Sequence, residues 1–462
     1  MHFKFIFFQK EKKCLKKIKI LATLARILLC NPCANLLIFL KKIIFSEKFL
    51  NNHRNSPTDF TRNRKLSFPI LIFFFLNLLK GSCQDELDHF FKIRESADIP
   101  FKFVSKAAFT NARKKLKFQA FIELSHALVR FFQKYFPTKK WKGFTLLAID
   151  ASTVKVPKTP EIIEHFGTWK PKKGKPCPVA RISQMFDVLN KITVDAIISP
   201  KKIGERELAA NHFLQLMMGD LILLDRGYPA FWLFALIMSL DAQFCARISY
   251  KKWSIVKAFY NSGKKEKIIH LNALYHSRRK CEEMGLSSEP LKLRLIRVEL
   301  DNGETEVLIT SLIDKEKYLH SEFIDLYHER WPVEEDFKTM KLRLEIENFT
   351  GKSVHSVYQD FHAKVFTKNL LAVLIHPAQD AVDREKSNRK YRHQINFTQA
   401  LSKIKDTVVL LFTRPEAMIQ RLISKFLEVV RKTTEPIRPG RKYPRNHKIK
   451  RKEFYPCYKP VR

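Results

Sequence analysis

One stretch of the chain restricts the possible folds more than any other: the ordered series of short apolar runs between residues 144 and 249. Apolar runs of about 4 to 8 residues predict buried strands, whereas apolar residues that recur three and four positions apart predict helices. The series predicts a strand, a two-stranded hairpin, a helix, a strand, a helix and a strand. This alternation favours an α/β sheet with helices packed on it.

The hairpin is the clearest local signal in this series. Leu189, Asn190 and Lys191 separate two β-like runs and supply turn chemistry between them. In chain order we predict a strand at 144–149, hairpin strands at 181–188 and 192–198, a helix at 205–218, a strand at 221–224, a helix at 229–240 and a strand at 242–249. This is the order expected of a ribonuclease-H-like catalytic domain.

The regions on either side of this series differ from it in composition. Residues 250–310 are charged and carry short β-like pieces, which predicts an inserted β-rich subdomain. We assign 1–45 to a poorly ordered N-terminal extension, 46–140 to a helical DNA-binding domain, 141–249 and 311–376 to the two parts of the catalytic domain, and 377–462 to a helical C-terminal region with a basic tail.

The charge balance restricts the partners of the chain. The 462 residues include 85 Lys and Arg against 46 Asp and Glu, a net charge of +39. An excess of this size predicts a polyanionic partner, and nucleic acid is the first candidate. An anionic membrane surface is the alternative. A genome rich in A and T explains the Lys and Phe usage but not the surplus of basic over acidic residues.

Cysteine usage and hydropathy restrict the cellular compartments in which the protein is expected. Cys30 and Cys33 form a C-x-x-C pair, but no second pair completes a zinc site, so we expect free thiols in a reducing cytoplasm. The longest apolar run, 68–79, is shorter than the ~18 residues that a membrane span needs and predicts a buried core helix. Arg26 interrupts a signal-like N-terminus. We therefore predict a cytoplasmic, nucleoid-associated protein without a membrane partner.

Two aspartates stand at corresponding places in the predicted sheet. Asp150 and Asp225 each follow directly on an apolar run, so we expect them at the same edge of adjacent strands. Glu334, on a later predicted helix, would join them if Val333 and its apolar neighbours pack on the sheet. Taken singly, each acid is most often a turn, cap or surface residue. Together, they suit two divalent cations that cut a phosphodiester in line.

The segment around Glu334 is the most specific part of the sequence. Tyr327, Arg330, Glu334 and Lys341 are separated by gaps of two, three and six residues. At about 100° per residue these positions fall on one face of a helix. Pro332 should break or restart that helix, which weakens the argument for Tyr327 and Arg330 relative to the other two residues. A carboxylate beside a guanidinium, an ammonium and a phenol suits a metal ion held against a phosphodiester.

This segment resembles the Y-(2)-R-(3)-E-(6)-K signature of the DDE transposases of the insertion-sequence-four family. DRGY at 225–228 resembles the second-aspartate motif of that family, and LLAIDASTVKVP resembles its first, which contains Asp150. The resemblance extends from about Arg62, in RNRKLSFP and GSCQDELDHFF, through GERELA to the basic tail, and so covers most of the chain.

The resemblance implies a function and a set of roles. Asp150, Asp225 and Glu334 would bind two catalytic Mg²⁺ ions, for which Mn²⁺ can substitute. Tyr327, Arg330 and Lys341 would contact phosphates near the element end. The family cuts double-stranded DNA at the ends of an element and joins the freed 3′ ends to a target, and pairing two ends implies a homodimer. Some members form a hairpin and hold a flipped base on an aromatic residue of the insertion, which here would be Trp253.

Four further hypotheses remain open from the sequence. Arg113 and Lys114 lie on a predicted basic helix, which is either a solvated face or a phosphate-contacting one. The chain could also be a catalytically silent copy, decayed or domesticated, that only binds DNA. Another nuclease of ribonuclease-H-like fold would share the acids, and a membrane-surface protein would share the positive charge.

Overall fold

The computed structural model describes residues 32–170, 175–300 and 303–438, and it begins with a layer of helices. Residues 1–31, including Cys30, and the basic tail from 439 lie outside the described residues. The helices of the first layer are α1 (Pro32–Ile44), α2 (Glu47–His53), α3 (Phe68–Leu76), α4 (Cys83–Glu95), α5 (Lys106–Arg113) and α6 (Gln119–Tyr135).

Helix α1 differs from our expectation of a poorly ordered extension up to residue 45. Leu36, Leu37 and Leu40 are fully buried. Their three and four residue spacing gives α1 an apolar stripe that must be covered, and the helical layer covers it. Residues 32–44 are therefore part of the packed layer.

Aromatic packing holds this layer together around α3. The apolar run at 68–79 forms a buried core helix, as predicted, with a proline in its first turn. Phe74 packs edge-on against Phe90 of α4 and Phe109 of α5, with ring centroids 5.4 and 5.0 Å apart. Edge-to-face pairs of this kind add to the stabilisation from burial.

A mixed β-sheet follows, and its elements occur in the predicted order. β1 (Thr145–Lys155) lies between β3 (Cys177–Asp187), which is antiparallel to it, and β5 (Asp220–Leu224), which is parallel. β4 (Ile192–Pro200) completes the predicted hairpin with β3, and β6 (Gln243–Ile248) runs parallel to β5. The strand order is thus β4-β3-β1-β5-β6, with the two-residue β2 (Thr168–Trp169) at the end of β3.

Strand β1 continues beyond the predicted end at Ile149. It pairs with β3 as far as Lys155 and Val179, because the long hairpin strand offers it a partner after β5 has ended. Asp150 therefore lies within a strand. The helices around the sheet are α7 (Pro160–Phe166), α8 (Glu205–His212) and α9 (Phe231–Ser239), and α8 passes into a 3₁₀ turn at Phe213–Gln215, so it is shorter than predicted.

Residues 250–310 do not fold as a separate β unit. They contain α10 (Ser254–Asn261), β7 (Glu266–Leu271), α11 (Tyr275–Glu283), β8 (Leu291–Glu299) and β9 (Thr305–Thr310). β9 pairs with β6, so the three strands extend the main sheet in the order β6-β9-β8-β7. The insertion covers the edge of β6, which would otherwise expose unpaired backbone groups.

The remaining elements pack one long helix against both layers. They are α12 (Glu322–His328), α13 (Pro332–Leu342), α14 (Val354–Glu385), β10 (His393–Ile395), α15 (Phe397–Thr413), α16 (Glu416–Lys432) and β11 (Thr434–Pro436). α14 has 32 residues and contacts α3, α6, β4 and α16. It crosses the domain boundary that we placed at residue 376. No described helix is long and apolar enough to cross a membrane.

Helix α14 carries buried charges that are paired with the surrounding elements. The guanidinium of Arg113 lies 3.0 Å from Asp360, and these side chains are 6% and 2% exposed. It also donates to Thr350 at 2.9 Å and to Gln359 at 3.0 Å. Arg113 therefore joins α5 to α14 inside the protein.

Arg113→Met should lower the free energy of unfolding by about 3–5 kcal/mol, because the buried Asp360 carboxylate then keeps its hydrogen bonds from Thr350 but loses its cationic partner. Urea unfolding at neutral pH measures this loss. Lys114→Ala, one residue away and exposed, is the control and should change stability by less than about 0.5 kcal/mol. Equal effects of the two substitutions would contradict the buried ion pair.

Candidate active site

The register of the central strands brings Asp150 and Asp225 to one place. Ile149 pairs with Leu224 at the last position of the parallel β1–β5 ladder. Asp150 is the next residue of β1 and Asp225 directly follows the end of β5, so the two lie side by side where the ladder ends. The carboxylates of Asp225 and Glu334 both act on the pKa of Asp150, so the three predicted acids share one electrostatic environment.

Helix α13 delivers Glu334 to this edge. The helix is interrupted between α12 and α13, and Pro332 occupies the first turn of the new helix, as predicted. Val333, Phe337 and Met340 are buried and form the predicted apolar stripe. α13 packs on β1. This contact places Glu334 beside the aspartates.

Gln184 connects the helix to the sheet opposite Asp150. It is 1% exposed and pairs with Asp150 across β1 and β3. Its amide donates to the carbonyl of Val333 at 3.4 Å and accepts from the hydroxyl of Thr193 at 3.2 Å. The residue before Glu334 is thereby tied to the strand that faces Asp150.

Two arginines neutralise two of the acids. Arg330 lies 2.5 Å from Glu334, one helical turn along the chain. Arg247 of β6 donates to one oxygen of Asp225 through Nη2 at 2.7 Å and through Nε at 3.1 Å, and it also pairs with Glu306 of β9. Sequence reasoning missed Arg247, although an arginine in the otherwise apolar run QFCARI was a usable signal.

The other signature residues lie at the same edge. The Tyr327 hydroxyl is 3.5 Å from a carboxylate oxygen of Asp225. The Lys341 ammonium donates to the hydroxyl of Ser152 at 2.6 Å, two residues beyond Asp150 on β1. The four signature residues therefore contact the candidate site or the strand that carries it.

Burial and neighbouring charges shift the pKa values of the two aspartates in opposite directions. Burial raises the pKa of Asp150 to about 6. Burial also acts to raise the pKa of Asp225, but the Arg226 amide and the Arg247 guanidinium outweigh it and hold that pKa below its ordinary value. Asp225 is thus the more firmly ionised carboxylate.

The donor chemistry fits a divalent cation, although the carboxylates are not drawn together around one. In the described part of the chain, no three His, Cys, Asp or Glu side chains are close enough to form a metal cluster. Arg247 and Arg330 supply positive charge beside Asp225 and Glu334. Carboxylate oxygens are the ligands that Mg²⁺ prefers, and Asp150, Asp225 and Glu334 are the residues that could hold it once the arginines change partners.

A chain of buried hydrogen bonds reaches the backbone carbonyl of Asp150, and it was not predicted from the sequence. The Ser183 hydroxyl donates to the Asp150 carbonyl at 3.3 Å and lies 2.9 Å from Nε2 of His212. Nδ1 of His212 lies 2.7 Å from Asp195, whose other oxygen is 3.0 Å from His126 of α6. These residues come from four different elements, so no short sequence motif contains them.

The three remaining predicted site residues have different surroundings. Arg113, which we expected to contact phosphate, is buried in the ion pair with Asp360 and has no surface to offer DNA. Lys114 is exposed at the end of α5. Trp253 is half-buried at the start of α10 and packs against the core. The helical spacing that suggested Arg113 does not distinguish an outward from an inward face.

Comparison with known proteins agrees with the motifs. The transposase DDE domain family matches residues 141–370. Transposase InsG of insertion sequence element IS4 from Escherichia coli strain K12 is 23% identical over 347 residues, which are 74% of this chain and 76% of that protein. The cryo-EM structure of the piggyBac transposase synaptic complex with hairpin DNA aligns over 88% of this chain and 87% of that chain, at 10% identity and a TM-score of 0.45.

The chain is a DDE transposase, an enzyme of DNA recombination. Within that class it belongs to the insertion-sequence-four type, and the resemblance read from the signature residues is confirmed. DDE transposases use divalent metal ions, in agreement with the carboxylate donors at the edge of the sheet.

Asp150→Asn should stabilise the metal-free protein at neutral pH and do so less in acid. The folded-state pKa of about 6 lies above the ordinary 3.8, so ionising this carboxyl costs the folded state more than the unfolded one. This cost is absent below the ordinary value, grows between the two values, and reaches about 2–3 kcal/mol above the folded pKa.

Urea unfolding in the presence of a chelator, compared at about pH 7.5 and about pH 4.5, measures the effect. Asp98→Asn, at an exposed carboxylate, is the control and should show no gain that depends on pH. A gain from Asp150→Asn that is the same at both pH values would contradict the burial of an ionised Asp150.

Proposed function

We propose that this transposase binds the ends of an insertion sequence, cuts the DNA there by metal-dependent hydrolysis and transesterification, and joins the ends to target DNA. The observation that carries the proposal is the convergence of Asp150, Asp225 and Glu334 at one edge of the sheet. The strand order β4-β3-β1-β5-β6, with an antiparallel hairpin and two parallel strands, supports a ribonuclease-H-like catalytic domain.

The three acids have distinct parts in this proposal. Two divalent cations, Mg²⁺ or its substitute Mn²⁺, would activate the attacking oxygen and stabilise the leaving one. Asp150 and Asp225 hold one side of the site because their strands fix them, and Glu334 closes it from α13. Arg247 and Arg330 keep the carboxylates apart and neutralised until the cations arrive, and the DNA phosphates then offer the guanidinium groups new partners.

Tyr327, Arg330 and Lys341 bind phosphates next to the cut. Each has a polar group at the edge where the acids lie, and a guanidinium and an ammonium recognise phosphate as a fork and as a point charge. Lys114 and the exposed face of the helical layer contact DNA further out, as the charge of +39 favours. Trp253 is the candidate for stacking a flipped base.

Pairing two element ends requires two active sites, so we propose a homodimer on double-stranded DNA in the cytoplasm, at the nucleoid. A catalytically silent copy is less well supported, because Asp150, Asp225, Glu334 and the full signature are all present. Another nuclease of the same fold would cut without specificity for element ends and would not join them to a target plasmid.

Asp225→Asn and Glu334→Gln should each abolish strand cleavage of a duplex that carries the inverted repeat flanking the reading frame. Each change removes a charged oxygen ligand while keeping the shape of the side chain. Cleavage is measured with Mg²⁺ and with a chelator, which should silence the wild type as well. If either variant cuts as fast as the wild type, or the chelator has no effect, the assignment of the acids fails.

Lys341→Ala should weaken binding to the same duplex and lower the slope of log affinity against log salt by about 1, because one phosphate contact is lost. Titrations at several salt concentrations give the slope. Lys338→Ala, one turn earlier on α13 where the ammonium pairs with Glu335 on the surface, is the matched control. Equal slopes for Lys341→Ala and the wild type would exclude the phosphate contact.

A further inference from the structure

The hydroxyl group of Tyr228 is buried, and no atom of the described residues forms a hydrogen bond with it. Tyr228 is 2% exposed, although it belongs to the turn that follows directly on Asp225. Buried hydroxyl groups in folded proteins are nearly always hydrogen-bonded, because losing water without gaining a partner is unfavourable. An unpaired one beside a candidate active site therefore indicates a partner that arrives with the substrate.

Hydrogen bonds on two sides fix the turn that carries Tyr228, so its hydroxyl stays buried. The amide of Tyr228 donates to the carbonyl of Asp225 at 3.0 Å, which closes the turn. Arg206, in the first turn of α8, donates to the carbonyl of Gly227 at 3.1 Å and fixes the turn from the other side. The ring itself packs in the hydrophobic core. Its direction is thus set by the fold.

Three of the four charged groups that act on the Tyr228 hydroxyl belong to the candidate active site. Asp150, Glu205, Asp225 and Arg330 all act on Tyr228 electrostatically. Burial, and after it the three carboxylates, raise the pKa of Tyr228 far above its ordinary value. The phenol therefore keeps its proton and offers an O–H donor, yet none of the three carboxylates accepts from it.

We propose that the Tyr228 hydroxyl donates a hydrogen bond to an oxygen atom that the loaded site brings in, either a water of the bound divalent cation or a non-bridging oxygen of the DNA phosphate. Both are oxygen acceptors that would lie among the carboxylates. The inference rests on the proposed function, since it takes Asp150 and Asp225 as holders of the cation. It adds Tyr228 as a binding residue that the signature does not contain.

Tyr228→Phe tests this directly, because it removes the hydroxyl and keeps the ring. Calorimetry with Mg²⁺ alone, and then binding of the inverted-repeat duplex in Mg²⁺, separates the two acceptors. If the acceptor is a water of the cation, Mg²⁺ should bind roughly tenfold more weakly. If it is the phosphate, Mg²⁺ binding should be unchanged and duplex binding should weaken by roughly the same factor. The metal-free variant should melt at the wild-type temperature or above it.

The controls distinguish failure of this inference from failure of the proposed site. Tyr358→Phe removes a hydroxyl that contacts His165 and should leave both affinities unchanged. Asp225→Asn should lose Mg²⁺ binding. If the wild type binds no Mg²⁺, the metal site and this inference fall together. If the wild type binds both ligands and Tyr228→Phe binds them equally well, or melts lower without metal, the inference alone is overturned.

Discussion

The structure depends on the buried charged and polar side chains of α14, which fix this helix relative to both layers. Hydrophobic contact is not directional and would allow a helix that is buried nearly all round to slide or rotate. Asp360 pairs with Arg113 of the helical layer, and Lys368 lies 2.5 Å from Asp336 of α13. Removing one member of either pair would leave a buried charge without its counter-ion, which disfavours other positions of the helix. Asp336 is two residues from Glu334, so its pair with Lys368 also helps to fix the position of Glu334.

The active site uses charge in a complementary way. Asp150 is half-buried beside other carboxylates and holds its proton more readily than usual, while Asp225 is kept ionised by Arg247. Three like charges close together would repel one another, and the guanidinium groups of Arg247 and Arg330 relieve that repulsion in the metal-free chain. The site thus has internal counter-charges that hydrated cations and phosphates can replace.

Much of this arrangement was predictable, and the remainder depends on long-range pairing. The apolar runs before Asp150 and Asp225 and the spacing around Glu334 drew attention to the three acids, and the resemblance to the family signature assigned them a common role. The extension of β1 beyond Asp150 was not predictable, since it depends on the length of a partner strand. Arg113 was misplaced for a related reason: periodicity defines the faces of a helix but not which face a distant carboxylate will cover. Arg247 and the histidine chain required contacts between elements far apart in sequence.

The way the insertion joins the sheet has a mechanical consequence. β9 pairs with β6 through a continuous ladder. Arg247 on β6 forms ion pairs both with Asp225, after β5, and with Glu306, on β9. A displacement of β9 would therefore reach the Asp225 carboxylate through the β6–β9 ladder and the Arg247 side chain. The position of the insertion and the position of Asp225 are thus linked through one continuous sheet.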